Sequence, residues 1–193
     1  MSTNNTGITT IKSMLRAAMN GVAARSIRES GMGYKFVFGV ELPRLRDIAS
    51  EYHTAAATER PDHLRQLARE LWQENIRECK MLAIMLHPID DFDEDIANIW
   101  IESLRPEQAE IAQLLAMDLL SHMPQASTLS FQWIADERMM YQLCGFLTLT
   151  RLIMNGAQLS PDAEAELRDQ AEAAAASSYL PLRKAIQNLM IRI

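Results

Sequence analysis

The chain has 193 residues, of which 48% are hydrophobic and 23% charged, and a net charge of −6. Those proportions exclude a disordered segment and a membrane-embedded chain, and the length allows one domain with a real core or one short repeat stack. Only 7 Gly and 7 Pro stand against an abundance of Ala, Leu, Met, Glu, Gln and Arg, residues that lose little side-chain freedom in a helix, so the composition predicts an all-α protein.

Met1–Thr9 is polar and lacks the apolar stretch of a signal peptide. A basic helix is expected over Thr9–Glu29. Residues 1–50 hold seven basic side chains (Lys12, Arg16, Arg25, Arg28, Lys35, Arg44, Arg46) and three acidic ones (Glu29, Glu41, Asp47), a surplus of four that leaves the remainder with a deficit of ten. Nucleic-acid-binding proteins usually show a basic balance, and this chain shows it only at its front. The segment Tyr34–Val40 alone leans toward β structure and reads as a loop entering a helix at Pro43.

From there helical spacing recurs. Leu64, Leu67, Ala68, Leu71 and Trp72 form an apolar stripe after the start Arg60-Pro61-Asp62, and Cys79, Leu82, Ala83 and Leu86 form the next, up to Pro88. Ile96, Ile99, Trp100 and Leu104 follow, behind Asp90, Asp91, Asp93, Glu94 and Asp95. Acids in that position complement the positive end of a helix, and no Gly supplies the turn of a calcium loop. Further helices are expected at Pro106–Ser121, Ser127–Asp136, Met139–Asn155 with Gly156 as its cap, Pro161–Ser177 with Ser160 capping its start, and Leu182–Arg192. Met139–Thr150 is the longest uncharged apolar run, well short of the ~20 residues that span a bilayer.

Helix pairs beginning near Leu42, Ile76, Glu107 and Met139 recur at about 32 residues, near the period of helical repeats. One such pair cannot bury its apolar face alone, so an α-α superhelix, a solenoid of HEAT- or ARM-like repeats, is expected. The helix around Leu143, Phe146 and Leu152, apolar nearly all round, belongs at its centre. Residues 1–33 are expected to cap the stack and residues 34–193 to form it, as one structural unit. Cys79 and Cys144 read as buried reduced thiols, which suits a cytoplasmic protein. The four His have no metal-ligand spacing, and neither a metal nor any other cofactor is expected. The sequence leaves the oligomeric state open.

Three stretches carry a family resemblance: Phe38-Gly39-Val40-Glu41-Leu42-Pro43-Arg44-Leu45-Arg46-Asp47-Ile48-Ala49, then Ala68-Arg69-Glu70-Leu71-Trp72, then Arg77-Glu78-Cys79-Lys80-Met81-Leu82-Ala83. With Trp133-Ile134-Ala135 and Lys184-Ala185-Ile186 they follow, in order and spacing, the pattern of the DNA alkylation repair family, AlkD-like proteins built of HEAT repeats, which the chain resembles over roughly residues 34–192. The resemblance implies DNA glycosylases that release cationic N3- or N7-alkylated purines from duplex DNA without flipping the base. Glycosidic cleavage builds positive charge on the sugar, so such a site needs a fixed carboxylate nearby, aromatic faces for the cation and an Arg for the flanking phosphate.

This chain departs from that pattern at each of those positions. The Trp-x-x-x-Asp stretch of the family falls on Arg105-Pro106-Glu107-Gln108-Ala109-Glu110, which has no Trp and puts Ala109 or, shifted by one, Glu110 at the Asp. The groove Arg becomes Leu143, the second groove Trp becomes Asn188, and a further helix pair of full-length members is missing after Ile193. By this reading the glycosylase machinery is gone.

Glu110 is the best substitute carboxylate. Glu107, Glu110 and Asp118 share a helix face opposite Ile111, Leu115 and Leu119, and that face is either plain solvated surface or an acidic lining that repels phosphate. Arg77, Lys80, Arg183 and Lys184 are the candidate nucleic-acid contacts, against a plainer role as solvated charges. Trp72 and Trp100 fall on core stripes, and the 12 Met read as core filler. The expected function is a non-catalytic module that binds DNA, duplex or branched, or a protein partner through a concave face. The alternative is a divergent alkylpurine glycosylase that relies on Glu110.

Overall fold

The computed structural model describes residues 4–56 and 62–193. Among them are eleven α-helices and no strand. No helix among the described residues is long and apolar enough to cross a membrane. The chain divides into two compact units, Met1–Asp91 and Phe92–Ile193.

The first unit holds α1 (Asn4–Ala17), α2 (Gly21–Glu29), α3 (Leu42–Ala55), α4 (Asp62–Gln73) and α5 (Arg77–Leu86). The single helix expected over Thr9–Glu29 is two. The Asn20 side chain accepts hydrogen bonds from the amides of Val22 and Ala23, both at 3.1 Å, and so caps a new helix. An Asn in extended backbone satisfies these first donors better than a continued turn does. Ile11 and Leu15 on α1 are fully buried, and α1 packs on α3 and α4. On α4 the expected stripe of Leu67, Ala68, Leu71 and Trp72 faces inward, although its proposed start at Arg60-Pro61 lies outside the described residues. Helix α5 is buried almost all round and packs on both α3 and α4, which makes it the core element of this unit. The Tyr34–Val40 stretch is a loop, as expected, tied to the α4–α5 connection by a single parallel bridge between Phe36 and Ile76.

The second unit holds α6 (Glu94–Glu102), α7 (Ala109–Asp118), α8 (Ala126–Ile134), α9 (Met139–Met154), α10 (Pro161–Ala175) and α11 (Leu180–Met190). Their starts follow from the local chemistry the sequence displays. Asp93 caps α6 by accepting from the Ile96 amide at 2.9 Å, and Ser160 caps α10 by accepting from Ala163 at 3.2 Å. Helix α9 ends at Gly156, whose φ of +96° suits only glycine without strain. Two expectations need correcting. Ile99 points outward, 64% exposed, because Ile96, Ala97, Trp100 and Ile101 already fill the buried face of α6. Glu107 belongs to a separate 3-10 turn, Pro106–Gln108, because the Arg105 amide donates to the Gln108 side chain and closes that turn first.

Helix α9 is the centre of its unit, packed by α6, α7, α8 and α11. Gly145 makes the α8 contact close, since a Cβ there would sit 2.8 Å from the Ser130 carbonyl oxygen. Helix α3 packs on α5 in the first unit, and α9 packs on both α7 and α11 in the second.

Candidate functional site

Two of the stretches quoted for the family resemblance meet in the first unit. Glu78, at the start of α5, has no solvent exposure. Its carboxylate accepts hydrogen bonds from the amides of Phe38 at 2.9 Å, Gly39 at 2.8 Å and Val40 at 3.3 Å. Three N–H donors converging on one buried carboxylate compensate its lost hydration. Arg77 adds to the same knot, donating to the Val40 carbonyl at 3.3 Å and lying 3.4 Å from Glu78. Gly39 completes the fit. Its φ is +74°, and a Cβ would come within 2.3 Å of the Asn20 carbonyl oxygen and 2.5 Å of the Ala24 nitrogen. The Phe-Gly-Val sequence and the Arg-Glu pair are thus two halves of one structural clamp. The sequence showed both halves, but no periodicity joins positions about forty residues apart in the chain.

Lys80 also turns inward. It is 7% exposed, its ammonium donates to the Trp72 carbonyl at 2.9 Å, and it lies 4.3 Å from the centre of the Trp72 ring. That ammonium therefore works inside the unit, where a desolvated cation over an indole is stabilising. Arg77 and Lys80, paired by the sequence reading as surface cations, are held by a clamp and a core ring respectively.

In the second unit Arg183 and Lys184 are both exposed on α11. Glu110 is half-buried in the first turn of α7. The other positions of the resemblance divide between core and surface. Leu143 is 1% exposed and packs inside α9's core face, while Asn188 is exposed on α11. Trp133 is buried, and its indole N–H donates to the Asn98 side chain at 3.0 Å. The backbone carbonyl of Asn98 accepts from the Tyr141 hydroxyl, also at 3.0 Å. One Asn on α6 thereby fixes an aromatic from α8 and another from α9. The Tyr179 hydroxyl at the start of α11 donates to the Pro106 carbonyl, tying that helix to the turn before α7, and burial pushes the Tyr179 phenol up to about 12.

A cleft of about 230 Å³ opens on this unit between α7, α9 and α11. Its lining comprises Gln113 and Met117 from α7, Leu147, Thr150, Arg151 and Met154 from α9, and Ala185, Asn188 and Arg192 near the end of α11. Glu110, Gln113 and Met117 recur at i, i+3 and i+7, so Glu110 stands at the head of the stripe whose far end lines the cleft. Arg151 and Arg192 are the only charged groups in that lining among the described residues. The Nε of Arg151 is buried with no hydrogen-bond partner among the described residues, an arrangement that ordinarily costs about 1–3 kcal/mol. In the sequence Arg151 is only the charge that follows the apolar run Met139–Thr150. Its signal, a lone cation in the last turn of a buried helix, equally fits simple complementation of the helix dipole.

The family model described as DNA alkylation repair enzyme matches residues 11–193. No curated protein matches.

Proposed function

The chain belongs to the DNA alkylation repair enzyme family, and from that membership we propose that it serves as a non-catalytic recognition module. Its ligand, DNA or a protein partner, is met through the face of α7, α9 and α11. The helix pairs are HEAT-like repeats in this proposal, capped by residues 1–33, and the protein works in the cytoplasm. A reducing compartment suits its two buried thiols, of which Cys79 is pushed up to about 12 by burial.

One observation carries the proposal. At the positions where the resemblance calls for a groove Arg and a groove Trp, this chain has a core leucine, Leu143, and a surface amide, Asn188. Neither side chain stabilises a developing carbocation or holds a phosphate by charge. The stretch 105–110 adds no indole. What the second unit does offer in cations is Arg183 and Lys184, exposed on α11, and Arg151 and Arg192 in the cleft lining.

A second reading is favoured by Glu110 because it shares a helical stripe with the cleft residues Gln113 and Met117. In it Glu110 replaces the missing carboxylate of a glycosylase for N3- or N7-alkylated purines. Incubation with duplex containing N7-methylguanine separates the two. The proposal expects no released base, whereas release that disappears in Glu110→Gln overturns it. Mobility shifts at low salt with duplex, branched and single-stranded DNA then identify the ligand class, and absence of retention directs the search to a protein partner.

A further inference from the structure

We infer that the cleft between α7, α9 and α11 is a binding site for a small amphipathic monoanion, an apolar body bearing a single acidic group, with the Arg151 guanidinium as its charge partner. The inference goes beyond DNA or partner recognition and does not depend on it. Arg151 brings a buried Nε that no described group accepts from, and Arg192 stands in the same lining with no carboxylate among the residues between them. Arg192 donates to the Asn188 carbonyl, so the unmet donor is the Arg151 Nε, and a guanidinium fork of that kind matches a carboxylate or phosphate.

The surroundings limit what that anion is. Met117, Leu147, Met154 and Ala185 supply an apolar wall, and methionine side chains adapt to rings and chains of different shape. Gln113 and Asn188 add amides able to orient a polar edge. The volume, about 230 Å³, falls below the roughly 300–1,000 Å³ of sites for drug-sized ligands, so the body is small. Charge limits it further. The unit holds fourteen acidic residues against seven basic ones. A compact monoanion reaches the cleft without lying along that acidic surface.

The test uses the full chain with 1-naphthoate and its uncharged counterpart 1-naphthalenemethanol. Methionine-methyl NMR and calorimetry give the readouts. Naphthoate is expected to saturate one site and to shift the methyl resonances of Met117 and Met154. The alcohol is expected to bind at least tenfold more weakly. Arg151→Gln should lower naphthoate affinity about tenfold, to that of the alcohol, with the thermal midpoint retained, and Arg151→Lys should recover part of it. Equal affinity for the two probes overturns the inference. So does absence of saturable binding, undiminished binding in Arg151→Gln, or shifts confined to other methionines. Inorganic phosphate binding as tightly as naphthoate removes the apolar body from the requirement and overturns it too.

Discussion

At the residue scale, the first unit depends on one carboxylate. Glu78 is buried and holds the amides of Phe38, Gly39 and Val40 with Arg77 alongside. Its removal leaves several desolvated donors and a guanidinium without their acceptor. Glu78→Ala is therefore expected to lose about 3–5 kcal/mol in urea unfolding. Glu78→Gln keeps the shape but turns one acceptor into a donor facing N–H groups, and should lose about 2 kcal/mol. A loss below about 1 kcal/mol for the alanine variant would mean that water replaces the clamp.

Another residue links stability to pH. Burial lowers the His87 imidazole from its ordinary value of 6.5, opposed by its hydrogen bond to the Pro88 carbonyl and by Asp91, and helped by Arg69 and Arg65. Above 6.5 the ring is neutral in both folded and unfolded chains and costs nothing. As pH falls below 6.5, the unfolded chain takes up a proton that the folded one resists, so stability drops until the lowered folded value is passed. Unfolding midpoints from pH 7.5 to 5 should show that fall, and His87→Gln should flatten it. An equal slope in both proteins would assign the effect to other groups.

At the element scale, the α8–α9 crossing rests on the missing side chain of Gly145. A methyl there would lie 2.8 Å from both the Ser130 carbonyl oxygen and Ile134 Cγ1, and 2.9 Å from the Ile134 nitrogen. Backbone cannot step aside as a flexible side chain does, so Gly145→Ala should push the helices apart and cost about 1–3 kcal/mol. The expected signature is a lower denaturant midpoint with an unchanged slope. A stabilised variant would show instead that glycine's backbone entropy outweighs the close approach.

Most helices of the fold were visible to period and capping alone. α4 to α11 begin and end within a few residues of where stripes, Asp93, Ser160 and Gly156 put them, because those signals act within one or two turns. Three things were not visible. The break at Asn20 depends on a polar cap that competes with continuing a good helix, and single-sequence propensity does not rank the two. The outward turn of Ile99 depends on which face of α6 its neighbours cover. The inward turn of Lys80 depends on an indole one helix away. Each is decided by a contact distant along the chain, and the cleft around Arg151 is of that kind, assembled from α7, α9 and α11.

At the scale of the whole molecule, charge sets the terms for any encounter with DNA. The net charge of −6 divides unevenly. Met1–Asp91 has twelve basic and eleven acidic residues, and Phe92–Ile193 has seven and fourteen. Four of those seven cations, Arg151, Arg183, Lys184 and Arg192, fall on α9 and α11 or immediately after, Arg151 and Arg192 in the cleft lining and Arg183 and Lys184 exposed on α11. Each phosphate neutralised on duplex DNA contributes about −0.9 to the slope of log affinity against log salt. Contact limited to these four therefore predicts a slope no steeper than about −4. Binding should be measurable at low salt and mostly lost near physiological ionic strength, where exposed charges are screened beyond about 8 Å. Arg183→Glu combined with Lys184→Glu should abolish retention at every salt concentration, while the far-ultraviolet dichroism stays helical because both side chains are exposed. A slope well beyond −4 would require further cations, with Arg105, Arg138 and Arg168 of this unit and the exposed Arg16, Arg25 and Arg28 of the first as the next to mutate. Retention that ignores salt altogether would remove the backbone phosphates from the interaction and leave a protein surface as the ligand of this face.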